Sequence, residues 1–192
     1  LTNDDLSNIV ETNDEWIYTR TGIKQRHVAI TENTVSLGIA AAEKAIKKAG
    51  IDKSEIDLVV CATITPDTSF PSTAGMVRQN IGLRDIPALD VCGVACAGFI
   101  YAASVAQGLM ATGGYKTALV LGAEVLSKIT DWSDRSSCIL FGDGAGAAVL
   151  QSGEGNGIIS YKLDGINDVD EYLICKFPSN DSPFYKGEKA DY

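Results

Sequence analysis

Residues 90–99 read Asp-Val-Cys-Gly-Val-Ala-Cys-Ala-Gly-Phe, and this stretch predicts a short apolar strand that turns sharply into a helix of small residues. The helix is predicted over residues 96–112, so Cys96 stands at its N-terminus. A cysteine there faces unpaired backbone N–H groups and the positive end of the helix dipole, which favour the reactive thiolate. The stretch therefore indicates a nucleophile, and the alternative is a buried cysteine that acts as a small hydrophobe.

The run from Val91 to Tyr115 carries no charged residue over 25 positions, which is long enough to cross a bilayer. It also contains five glycines and the predicted break between strand and helix. We therefore expect a helix inside a layered protein fold and no membrane partner.

The flanking sequence alternates between apolar runs and amphipathic segments, which favours β-α-β units. The closing pair of strands is predicted as a hairpin, so the fold class is α/β with a mixed, mostly parallel sheet. Helices are predicted over residues 34–49, 71–82 and 96–112, and strands over residues 58–64, 88–91, 117–122, 145–150 and 157–161.

We expect one domain over residues 1–163, followed by an irregular segment over residues 164–192 where the apolar periodicity fades. The chain begins at Leu1 without a methionine, so the domain is expected to be incomplete at its start.

The net charge of −9 argues against nucleic acid and anionic membranes as partners. An anionic ligand would need a local basic patch. Arg20, Lys24, Arg26 and His27 form one candidate, with a solvated basic loop as the alternative.

Five scattered cysteines indicate a reducing, cytoplasmic compartment. Cys92 and Cys96 lie four positions apart, but the chain has a single histidine and no second cysteine pair, so no metal is expected. Gly142, Gly144 and Ala147 fit the spacing of a dinucleotide fingerprint, yet a strand is predicted after them where that fingerprint requires a helix. No permanently bound cofactor is expected.

Five motifs together resemble the β-ketoacyl-acyl-carrier-protein synthases III of the thiolase-like superfamily, in the family's order and over almost the whole chain. The resemblance implies the N-terminal half of such an enzyme, a layered α-β-α arrangement with a buried central helix. These motifs are residues 14–23, 70–72, 95–99, 134–135 and 141–147.

In that family, Cys96 matches the cysteine that takes an acyl group from acyl-CoA and condenses it with malonyl-acyl carrier protein to start fatty acid synthesis. The backbone N–H of Cys96 is then expected to help bind the oxyanion. The family's catalytic histidine and asparagine belong to a second half that these residues lack, and His27 does not match them by motif. We therefore expect the 192-residue chain alone not to condense malonyl groups.

The resemblance also assigns binding residues. Trp16 and Arg135 match the pair that sandwiches the adenine of CoA, and Arg20 and Thr12 match positions at the CoA entrance. Phe70 matches a residue that reaches across a dimer interface to the partner's acyl pocket, which implies a homodimer.

One departure lies beside the nucleophile, because Asp90 and Cys96 are six positions apart where the family usually has five. A bulge or a shifted strand end is predicted there. Two alternative functions remain: a non-catalytic thiolase-like partner subunit, and a related acyl transfer such as a starter-unit polyketide ketosynthase or an enzyme similar to HMG-CoA synthase.

Overall fold

A computed structural model describes residues 1–154 and 157–175. Leu1–Ile159 form one compact unit, and a second unit begins at Ser160. The helices are α1 (Asn3–Leu6), α2 (Asp14–Thr21), α3 (Thr34–Ala49), α4 (Thr73–Asn80), α5 (Gly98–Gly113) and α6 (Arg135–Cys138), and the strands are β1 (Leu58–Ala62), β2 (Ala88–Val91), β3 (Thr117–Val125) and β4 (Asp143–Gln151).

The four strands form one sheet in the order β2-β1-β3-β4. Both β2 and β3 run parallel to β1, and β4 runs antiparallel to β3. All five residues of β1 are buried, as expected of a central parallel strand covered on both faces. The predicted mixed, mostly parallel sheet is therefore confirmed.

Helices cover both faces of this sheet. On one face, Val35, Ala42 and Ile46 of α3 and Val77 of α4 share a core with Val59 of β1 and Leu119 of β3. On the other face, Ala102 and Ala106 of α5 pack with Val60 and Val120. Small residues on α5 let the helix approach the strands closely, so the layered α-β-α arrangement follows from the sequence pattern.

The outward side of α5 is open in this chain. Ile100 is 56% exposed, although α5 follows the predicted pattern of a helix apolar nearly all round. Among the described residues, Ala95–Gly113 is one helical stretch whose length and mean hydropathy of 1.3 would suit a membrane span. Ala102 and Ala106 nevertheless lie against the sheet, which is the contact expected of a helix that packs on a core.

Two details of the sequence prediction are wrong. Residues 157–161 form no strand, and Ile159 is 96% exposed, because an apolar run needs a neighbouring strand to pair with. The third helix begins later than predicted, since a 3₁₀ turn over Ala95–Ala97 precedes α5.

Candidate functional site

Cys96 lies in the turn that joins β2 to α5, just before the first residue of the helix. Two positive φ angles shape this turn, 77° at Gly93 and 41° at Ala95. Alanine is strained at such a φ, so the chain holds a locally unfavourable conformation directly before Cys96. Gly98 then allows α5 to start close to β1, because a Cβ there would lie 3.0 Å from the Cβ of Ala62.

The side chain of Cys96 is exposed and borders a cavity of about 290 Å³. The cavity walls are mostly small residues, which leaves room for a ligand at the sulfur. The lining residues are Ala62, Ala95, Cys96, Phe99, Gly122, Ala123, Glu124, Gly144, Ala145 and Gly146.

The N-terminus of α5 carries no side-chain cap among the residues that the structure describes, since Ala97 occupies the capping position. Backbone N–H groups in the first turn of a helix without a cap are available to an anion or an oxyanion. The arrangement can therefore stabilise negative charge that develops next to Cys96.

The other cysteines of this domain are less suited to nucleophilic chemistry. Burial raises the pKa of the Cys61 and Cys138 thiols, and both side chains are buried. Burial also raises the pKa of Cys92, with further contributions from the carboxylates of Asp90 and Glu124. A raised pKa keeps these sulfurs in the less reactive thiol form.

Glu124, at the end of β3, holds the loop that follows β1. One carboxylate oxygen accepts the backbone N–H of Ile64 at 2.8 Å, and the other accepts the Thr65 hydroxyl at 2.5 Å and the Thr63 hydroxyl at 3.2 Å. This carboxylate borders the same cavity as Cys96, and sequence patterns gave no sign of it.

A second site forms around Trp16 on α2. The guanidinium carbon of Arg20 lies 4.4 Å from the centroid of the Trp16 ring, and that of Arg135 lies 4.6 Å from it. Arg20 also donates to the Trp16 carbonyl oxygen at 3.2 Å, and Arg135 donates to the carbonyl oxygen of Glu11 at 3.3 Å. The two contacts with the indole ring are cation–π interactions, so the structure brings Trp16, Arg20 and Arg135 together as predicted.

A groove of about 270 Å³ runs beside the indole, lined by Asn13, Glu15, Trp16, Thr19 and Arg20. Thr12 directly precedes the first lining residue in sequence, and its hydroxyl oxygen is buried without a hydrogen-bond partner in the part of the chain that the structure describes. Phe70 is 85% exposed and does not border either cavity.

The candidate basic patch divides in two. Lys24 lies over the ring of Tyr18 at 5.1 Å, whereas Arg26 is only 7% exposed and points into the protein. The expectation of a continuous patch that includes Arg26 is therefore wrong. An alternating pattern of basic residues does not reveal which of them turns inward, because that depends on partners distant in sequence.

The glycine-rich stretch that imitates a dinucleotide fingerprint leads into β4, so no helix follows it. Its glycine at position 142 serves packing instead: a Cβ there would lie 3.0 Å from both the Cβ of Arg26 and the carbonyl oxygen of His27. Asp143 adds hydrogen bonds from the backbone N–H of Ala29 at 2.6 Å and of Ser127 at 2.8 Å.

Within residues 1–154 and 157–175, no group of three or more His, Cys, Asp or Glu side chains is arranged to hold a metal ion. All five cysteines are free thiols.

Comparison with known proteins gives one consistent result. Residues 90–165 match the family of 3-oxoacyl-[acyl-carrier-protein] synthase III. The β-ketoacyl-[acyl-carrier-protein] synthase III of Clostridium acetobutylicum is 48% identical over 184 residues, which are 96% of this chain and 56% of that protein.

Solved structures agree with this match. The 3-oxoacyl-[acyl-carrier-protein] synthase III of Aquifex aeolicus superposes with a TM-score of 0.78 at 47% identity, over 81% of this chain and 50% of the other. The priming β-ketosynthase of the R1128 polyketide pathway gives 0.78 at 37% identity, over 82% and 47%. The chain thus spans a little over half the length of the curated relatives that it matches.

Proposed function

Because this chain belongs to the β-ketoacyl-[acyl-carrier-protein] synthase III family, we propose that it carries the acyl-accepting half of a condensing enzyme, with Cys96 as the nucleophile. The single observation that supports this most is the position of Cys96: exposed, in a strained turn before the uncapped N-terminus of α5, and open to a cavity.

In the first step, the thiolate of Cys96 attacks the carbonyl carbon of an acyl-CoA thioester. The carbonyl oxygen becomes an oxyanion, which the N–H of Cys96 and the first turn of α5 are placed to stabilise. The bond to the CoA sulfur then breaks, and CoA leaves as a thiolate that takes a proton from solvent. Cys96 is left as an acyl thioester, the covalent intermediate of a ping-pong reaction.

Trp16 and Arg135 would hold the adenine of CoA. Their present separation of 4.6 Å leaves no room for a base between them. A base in contact with both groups needs them about 7 Å apart, twice an ordinary contact distance of ~3.5 Å. Binding therefore requires the Arg135 guanidinium to withdraw from the indole. Arg20 would keep its hydrogen bond to Trp16 within α2. Thr12 would border the entrance for CoA.

The condensation itself would use malonyl-acyl carrier protein. Malonyl would lose CO₂, and the resulting enolate would attack the Cys96 thioester and expel the cysteine thiolate. That step needs a histidine and an asparagine from the remainder of a full-length protein, so residues 1–192 would accept acyl groups without condensing them. The exposed Phe70 supports a homodimer, and five free cysteines support a cytoplasmic location.

The test is transfer of labelled acetyl from acetyl-CoA to the chain. We expect intact-mass spectrometry to show one added acetyl group, and peptide mapping to locate it on Cys96. Cys96→Ala should abolish the label, whereas the matched variant Cys92→Ala should keep it. Full labelling of Cys96→Ala would refute the assignment.

A second candidate function is the priming step of polyketide synthesis, because the priming β-ketosynthase of the R1128 polyketide pathway is similarly close in structure. In the full-length protein, the two functions differ in the carrier protein that delivers malonyl. Turnover with a polyketide carrier protein but not with the fatty acid carrier protein would favour the polyketide role.

A further inference from the structure

The groups proposed to hold adenine lie on two separate helices. Trp16 and Arg20 belong to α2, and Arg135 is the first residue of α6. The gap between indole and guanidinium therefore depends on how these two helices are held relative to each other.

A chain of hydrogen bonds connects the same two helices. Asn3 donates through Nδ2 to Oδ1 of Asp14, the first residue of α2, at 2.8 Å. Its Oδ1 accepts from Nη2 of Arg26 at 2.9 Å, and that Nη2 also donates to the carbonyl oxygen of Ile139 at 3.0 Å. Ile139 directly follows α6, so the chain ends at the helix that carries Arg135.

The Asn3–Arg26–Ile139 part of this linkage is buried. Asn3 is 1% exposed and Arg26 is 7% exposed, in a part of the core that also holds the apolar side chains of Leu6, Ile17 and Ile139. None of the ion pairs found among the described residues involves Arg26, so its charge is compensated by carbonyl and amide oxygens alone. A buried guanidinium without a carboxylate is costly, and an apolar residue would fill the space more favourably.

We propose that Arg26 is a positioning residue which, with Asn3, sets the distance between α2 and α6 and thereby the Trp16–Arg135 gap that receives the adenine of CoA. This role rests on the proposed function. Arg26 touches no part of the reacting sulfur, since the Cys96 cavity has a separate set of lining residues.

The shape of arginine suits this task. Nη1 donates to the carbonyl oxygen of Leu1 at 3.2 Å while Nη2 reaches both Asn3 and Ile139, so one rigid planar group ties the N-terminal segment to the residue that follows α6. Lysine carries the same charge on a flexible stem and lacks the planar fork. Arg26→Lys therefore removes the geometry and keeps the charge.

The first experiment measures single-turnover acetylation of Cys96 against acetyl-CoA concentration. For Arg26→Lys and for Asn3→Ala, we expect half-saturation to rise about tenfold, because the clamp loses preorganisation. The rate at saturation should stay within about twofold, because the chemistry at Cys96 is unchanged. Arg84→Lys and Asn80→Ala are matched controls at exposed positions and should change neither quantity.

Acetyl-pantetheine supplies the discriminating substrate, since it has the same thioester without adenine or phosphates. Its rate of transfer to Cys96 should be equal in the unsubstituted chain and in Arg26→Lys. Equal losses with both substrates would mean a general structural defect and would overturn the positioning role, as would unchanged half-saturation in both variants.

A ligand-free measurement separates this inference from the proposed function. In a Trp132→Phe background Trp16 is the remaining tryptophan, and acrylamide quenching reports how well its ring is covered. We expect Arg26→Lys and Asn3→Ala to increase quenching, whether or not acetyl-CoA reacts. Absence of acetylation in the unsubstituted chain would defeat the proposed function, and unchanged quenching would defeat the positioning role.

Discussion

Cys92 and Cys96 are both exposed thiols in the segment between β2 and α5, yet their surroundings differ. Cys92 lies near the carboxylates of Asp90 and Glu124, and its pKa is raised chiefly by burial. Cys96 follows Ala95, whose φ of 41° turns the chain toward the cavity. Four positions along the chain thus separate a thiol with a raised pKa from one that borders a cavity.

The raised pKa of Cys92 makes its alkylation strongly dependent on pH. In Cys96→Ala, we expect iodoacetamide to modify Cys92 more slowly than it modifies free cysteine at pH 8, because less thiolate is present. The rate should keep rising above pH 9, because the pKa of Cys92 is raised above the ordinary value of a thiol. Mass spectrometry of the Cys92 peptide across this range checks the prediction, and a plateau below pH 8.5 would contradict it.

At this residue scale, the sequence identified Cys96 because its signal is local: a strand, a turn and a helix meet at one position. The inward orientation of Arg26 could not be predicted. It depends on the carbonyl oxygen of Ile139, 113 positions away, and neighbouring residues alone do not reveal such a partner.

Among the elements, the segment before β4 packs directly against the segment around Arg26, because Gly142 has no side chain to separate them. A Cβ added at Gly142 would lie 3.0 Å from the backbone oxygen of His27. A backbone atom cannot rotate out of the way as a flexible side chain can. The same Cβ would also lie 3.0 Å from the Cβ of Arg26, so the contact at Gly142 includes the residue proposed to position α2 and α6.

Gly142→Ala should therefore lower the free energy of unfolding by about 1–3 kcal/mol, the usual cost of overpacking a tight contact. Gly108→Ala is the matched control, because no atom lies within 4 Å of its would-be Cβ in α5. Alanine there should stabilise the helix by up to about 1 kcal/mol. Urea unfolding followed by circular dichroism measures both, and equal effects would contradict the assignment.

The element pattern was predictable where burial alternates regularly. Strand β2 agrees with its predicted bounds, and α3 begins and ends where its periodicity does. The apolar run over residues 157–161 shows the limit of this reasoning, because apolar composition indicates a strand only if a partner strand lies beside it.

For the molecule as a whole, the outward side of α5 is an exposed apolar surface of the layered unit. Ile100 is 56% exposed on a helix otherwise rich in alanine and glycine. Contiguous apolar surface of this kind promotes association.

We expect the 192-residue chain to self-associate as its concentration rises, as measured by sedimentation velocity. Ile100→Lys should shift the distribution toward monomer by placing a charge on this surface. Ile30→Lys is the matched control in the loop before α3, where Ile30 is 91% exposed, and it should have little effect. An unsubstituted chain that stays monomeric at every concentration would contradict the prediction.

The hydrogen bond from Arg26 to Ile139 also orders events during synthesis. Arg26 leaves the ribosome 113 residues before its partner, an interval on the order of ten seconds at ordinary elongation rates. Throughout that time the guanidinium can reach the oxygens of Leu1 and Asn3 but not the carbonyl oxygen of Ile139. The first segment to be made thus completes its contacts late, and the Trp16–Arg135 pair proposed to hold adenine reaches its final spacing only after most of the sheet has been translated.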